Sequence, residues 1–153
     1  MNIRSGTIAS LLNSPVYNLR AFFVDEVPPV LIVDDETMIL LFVADALSEA
    51  GYTVLEASDA AAAMAHIDER ENLRGLVTDI RLGSGEKGWA VAHHARQKFP
   101  NLPVVYITGD SADDWSADGV PQSAVLQKPF LSAELVAALT HLLVMHHPSP
   151  SNL

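Results

Sequence analysis

Val30-Leu31-Ile32-Val33-Asp34-Asp35-Glu36 is the stretch on which the fold turns. Four apolar residues, three of them β-branched, run directly into three acids. A short unbroken apolar run fits a strand buried on both faces, as in a parallel sheet covered by helices. The acids then stand at the carboxyl end of that strand, where open α/β sheets place their ligand sites. Three adjacent carboxylates repel one another, and a hard cation such as Mg²⁺ is the natural partner for such a group. Further strands are therefore expected to end at the same place.

Working outward, Pro28-Pro29 marks the start of the domain. After the first strand, a helix is expected from about Glu36 to Ala50. Ile39, Phe42, Val43, Ala46, Leu47 and Ala50 form its core face, and Gly51 stops it. Thr53–Ala57 reads as strand two. Helix two follows, capped by Ser58 or Asp59 and carrying the Ala60–Ala63 run. Gly75–Asp79 is strand three, and a loop with Gly83, Gly85 and Gly88 leads to a helix from about Trp89 to Lys98. Val104–Thr108 is strand four and Ala124–Gln127 strand five. A last helix runs from about Ser132, read as its cap, to about Met145. Five strands alternating with helices give an α/β fold with a doubly wound five-stranded parallel sheet. The segment Gly109–Pro121 has room for barely two helical turns and no amphipathic stripe. Its helix is expected to be shortened or absent, with Trp115 folded back as an anchor.

At 153 residues the chain is expected to hold one domain, residues 29–146. A loosely ordered extension (1–28), including the apolar cluster Ala21–Val24, would precede it, and a disorder-like tail (147–153) would follow. The net charge of −10 argues against nucleic acid or an anionic membrane surface as a direct partner. With no cysteine, disulfides and thiolate metal sites are excluded, which suits a reducing cytoplasm. No apolar segment approaches the length of a membrane span, and the extension lacks the apolar core and cleavage pattern of a secretory signal.

The strand ends collect a specific chemistry: Asp34 and Asp35, then Asp79, then Thr108, then Lys128-Pro129. Acids able to hold a metal, a carboxylate nucleophile, a hydroxyl and an ammonium make up a phosphoryl-transfer site, where positioning and electrostatics do the catalysis. A carboxylate that attacks phosphorus becomes an aspartyl-phosphate.

These marks, in this order, together with Gly88 and Lys128-Pro129-Phe130, resemble the receiver domain of two-component response regulators over about residues 29–145. The resemblance implies the flavodoxin-like strand order 2-1-3-4-5. It implies that Asp79 is the phosphoacceptor, charged by a histidine kinase or phosphotransfer protein. Asp35, Asp79 and the backbone carbonyl of Arg81 would be ligands of Mg²⁺, and Asp34 would act through a water. Thr108 would be the switch hydroxyl and Lys128 the phosphate-binding cation, with a cis bond to Pro129. Arg81 and Asp110, each two residues past a site residue, would flank the phosphoryl group and tune its lifetime. With no output domain after residue 145, signalling is expected to pass to a downstream protein. Both a stand-alone receiver and one derived from a hybrid kinase fit.

The chain departs from the family at Val125, three residues before Lys128, where members usually carry an aromatic. The short segment after Ile107-Thr108-Gly109 resembles stand-alone receivers with a degraded fourth helix. Met38 and Leu41 lie opposite the core face of helix one and form a candidate partner surface. The histidines are assigned to no metal. One rival reading is a Mg²⁺-dependent phosphohydrolase with an Asp nucleophile, which would need a substrate pocket or cap. Another is a flavin carrier, whose phosphate three acids would repel. The last is a docking module that works without phosphorylation.

Overall fold

The five expected strands form, with Asp34 just past the end of the first and Thr53 just before the second. In the computed structural model, β1 is Val30–Val33, β2 Val54–Ala57, β3 Gly75–Asp79, β4 Val104–Thr108 and β5 Ala124–Gln127. They pair in parallel in the order β2-β1-β3-β4-β5. The structure describes residues 27–83, 85, 87–110 and 115–146. The Ala21–Val24 cluster and the 147–153 tail lie outside these residues.

Every residue of β1, β3 and β4 is buried, as central strands of a doubly covered sheet must be. Alternation splits β1 between two cores. Leu31 and Val33 join Leu76, Trp89, Val91 and Tyr106 on one face, and Val30 and Ile32 join Val43, Leu47, Leu135 and Leu139 on the other. The edge strands β2 and β5 are only partly buried.

The helices are α1 Thr37–Glu49, α2 Ala60–Glu69, α3 Gly88–Lys98, α4 Trp115–Asp118 and α5 Ser132–His146. Asp59 caps α2, its carboxylate accepting the Ala62 N–H at 2.7 Å. Gly51, at φ +95°, takes the left-handed turn that ends α1. At α5 the first amides bond to the Leu131 carbonyl, so Leu131 and not Ser132 holds the cap position. Among the described residues, α4 is a single turn, as its sequence suggests.

The core face of α1 is corrected. Its buried residues are Leu40, Val43, Ala46 and Leu47, whereas Phe42 is 41% exposed and Ala50 is exposed. Phe42 turns aside because its ring meets Phe130 edge-on at 5.7 Å, on the corner between β5 and α5. Leu40, absent from the expected face, is buried in the core instead.

Candidate functional site

The register brings the predicted residues to one end of the sheet. Val33 pairs with Thr78, so Asp34 and Asp79 leave neighbouring strands at the same level. Thr108 pairs with Gln127, which sets Lys128 one step beyond the level of Thr108.

Asp34 is 1% exposed. One of its oxygens accepts the Glu36 N–H at 2.8 Å, while Oδ2 is buried without a hydrogen-bond partner among the described residues. Burial, above all, pushes its carboxyl up to about 6; the Glu36 amide opposes this and the negative charge of Asp79 adds to it. Asp79 is also buried, its Oδ1 accepting the Arg81 N–H at 3.2 Å and its Oδ2 the Lys128 ammonium at 3.1 Å. Lys128 further lies 3.5 Å from Asp34 and 3.4 Å from Glu36. Its own burial disfavours the charge, but the hydrogen bond and charge of Asp79, with Asp34 and Glu36, outweigh this and hold the ammonium above the ordinary lysine value. The Lys128–Pro129 bond is cis.

Carboxylate oxygens of Asp34, Asp35, Glu36 and Asp79 all lie within 4.8 Å of one another. Four acids face one ammonium, and one buried oxygen is left unsatisfied. A hard dication would fit this donor set: it would add positive charge beside Asp34 Oδ2, whose nearest cation is the Lys128 ammonium at 3.5 Å. Glu36 belongs to the cluster although the sequence reading gave it no role. Its place immediately after Asp34-Asp35 was the available signal.

Thr108 is buried at the end of β4, its hydroxyl accepting the Asp110 N–H at 3.1 Å. At the rim, Arg81 and Asp110 pair at 2.6 Å. Gly88 is packed against the back of the site: a Cβ there would stand 2.1 Å from the Asp79 carbonyl oxygen. Met38 and Leu41 are 75% and 52% exposed on α1. A cleft of about 330 Å³ runs beside the site, lined by Ile39, Phe42, Gly109, Lys128, Pro129 and Phe130. A larger cleft, about 500 Å³, lies around Tyr52, Arg74 and Leu143, residues that take no part in the acidic cluster. The histidines tie surface elements together: His94 to Asp68, His93 to the Asp118 carbonyl, and His146 to the Asn101 and Gln122 carbonyls.

The response regulator receiver domain profile matches residues 30–140. The chain belongs to the response regulator receiver family. A crystal structure of a response regulator receiver protein from Sinorhizobium medicae superposes with a TM-score of 0.77 at 40% identity, covering 80% of this chain and 98% of that one. The receiver protein CpdR of Brucella abortus is 32% identical over 117 residues, 75% of this chain and 96% of CpdR. The nitrogen assimilation regulatory protein NtrX of Azorhizobium caulinodans is 35% identical over 111 residues. This receiver covers only 24% of that regulator's length. It is thus a receiver of two-component systems, a phosphoacceptor signalling module. No helix among the described residues is long and apolar enough to cross a membrane.

Proposed function

We propose that Asp79 accepts a phosphoryl group from the phosphohistidine of a histidine kinase or phosphotransfer protein, in the cytoplasm, and that the receiver unit doing so is residues 29–146. The observation that carries this reading is the buried Asp79 carboxylate, flanked by Asp34 and held 3.1 Å from the Lys128 ammonium. A carboxylate oxygen attacks phosphorus, a P–O bond forms, and the P–N bond breaks with its electron pair passing to the donor's ring nitrogen. Lys128 stands ready for a phosphoryl oxygen, and the Thr108 hydroxyl can turn from the Asp110 amide to donate to another.

Asp35, Asp79 and the backbone carbonyl of Arg81 would hold Mg²⁺, with Asp34 acting through a water. The bound ion supplies charge to neutralise phosphoryl oxygens. Water reaching the acyl phosphate returns the chain to its resting state, and the Arg81–Asp110 pair controls that access. The exposed Met38 and Leu41 on α1 form the surface that meets the phosphate donor, and a downstream protein reads the result. Val125 favours a second reading, a docking module indifferent to phosphorylation, because it removes the aromatic that usually couples site to surface.

Phosphotransfer from candidate kinases, with Mg²⁺ and with chelator, tests the proposal. Wild type should take up label only with Mg²⁺, and Asp79→Asn should take up none. Equal labelling of both proteins would refute the role of Asp79, and no labelling of wild type by any phosphohistidine donor would favour the docking module.

A further inference from the structure

Val125 on β5 pairs in register with Tyr106 on β4, so the aromatic missing from one strand stands on the next, in the same row. Tyr106 lies two residues before Thr108 and is fully buried, its ring edge-on to Trp89 with centroids 4.5 Å apart. Its hydroxyl accepts the N–H of Val120 at 3.0 Å. From there a chain of contacts leads outward. The Ser123 hydroxyl donates to the Val120 carbonyl at 2.6 Å and accepts the Trp115 indole N–H at 2.9 Å. Gly119 is pressed against that indole, since a Cβ there would come within 2.7 Å of Trp115 Cδ1.

The chain that leaves β4 at Thr108 is therefore fastened back to β4 at Tyr106, two residues away. Past Val120 the backbone is fixed again, because the Gln122 carbonyl receives Arg96 at 3.2 Å and contacts His146 at 3.1 Å. A pull on Thr108 cannot be relieved beyond Val120. Among the described residues between these two points, the single turn of α4 carries the one large side chain, Trp115, on which a displacement would show.

We propose that Tyr106 is a positioning residue that couples the Thr108 end of the acidic site to α4, with Trp115 as the side chain whose placement changes. This rests on the phosphoacceptor reading above. It replaces coupling through an aromatic on β5 with coupling from β4, and it makes the Trp115–Val120 turn the surface a downstream protein reads.

The chain has two tryptophans, so the full-length Trp89→Phe variant leaves Trp115 as the sole indole while keeping an aromatic against Tyr106. Beryllofluoride with Mg²⁺ serves as the phosphoryl mimic. Its binding is read by fluorine NMR and Trp115 by emission. Saturation should shift Trp115 emission in the Trp89→Phe protein. In Trp89→Phe/Tyr106→Phe, beryllofluoride should still bind, but the emission change should fall several-fold. Ser123→Ala in the same background, which cuts the link nearer the indole, should also blunt the change. An undiminished Trp115 response with bound beryllofluoride, in either variant, overturns the coupling. If the Tyr106→Phe protein does not fold, the Ser123→Ala result decides alone. Absence of beryllofluoride binding to the Trp89→Phe parent would instead overturn the phosphoacceptor reading itself.

Discussion

Asp34 is the least well solvated of the four acids: buried, short of one hydrogen bond and beside a like charge. Its folded-state value, raised to about 6, means that folding favours its protonated form. Without a divalent ion, its contribution to stability is therefore greatest in acid. It declines as pH rises from about 4 to about 6, a loss of up to about 3 kcal/mol that is complete above that window. A dication would relieve the same strain, but it competes with the proton. Mg²⁺ is expected to raise the melting temperature clearly near pH 7.5 and much less near pH 5, as thermal unfolding at both pH values will show. A gain from Mg²⁺ that is the same at both would contradict this account. Arg81 and Asp110 are both well exposed, so their 2.6 Å pair contributes little to stability, about 0.5 kcal/mol or less. Its effect should lie in kinetics: Arg81→Ala and Asp110→Ala should each shorten the lifetime of the aspartyl-phosphate several-fold with almost no change in unfolding. Unchanged dephosphorylation rates in both variants would remove the pair from the mechanism.

Among the elements, the start of α3 is the most tightly constrained by the site. A methyl group at position 88 would collide with the backbone carbonyl of Asp79 and crowd the Thr78 hydroxyl, while position 85 has nothing within 4 Å. Gly88→Ala should cost at least about 2 kcal/mol in denaturant unfolding, and Gly85→Ala less than about 1. Equal costs would show that α3 can shift freely. In the sequence only the family resemblance set Gly88 apart from Gly85; the physical difference arises from a strand nine residues earlier in the chain. The strands themselves were legible, since β-branched runs ending in Asp34, Asp79 and Thr108 carry both the fold and the site. The face of α1 was less so. Helical spacing defines a stripe but not which edge of it meets the sheet, and Phe42 is drawn off by Phe130, 88 residues away. Glu36 was read as one of three acids and then left out of the site, because only the turn of the chain after Asp34 brings it to Lys128. The fastening of Val120 to the Tyr106 hydroxyl had no sequence signature at all; it needs two segments that local patterning does not pair.

The described residues form a parallel sheet with a core on each face and the cluster of four acids and Lys128 at one end. Three fully buried strands hold Asp34, Asp79 and Thr108 in fixed relation, and the edge strand β5 delivers Lys128. That stiffness is what lets four acids and one ammonium be held within reach of one another in the resting state. On the coupling proposed above, the response is read at the turn carrying Trp115. The most direct test of the whole account is intact-mass spectrometry of the chain after incubation with acetyl phosphate, which removes any dependence on a cognate kinase. With Mg²⁺, wild type should gain the mass of one phosphoryl group. The gain should vanish with chelator and in Asp79→Asn. A phosphoryl adduct that persists in Asp79→Asn, or that forms equally well in chelator, would contradict it.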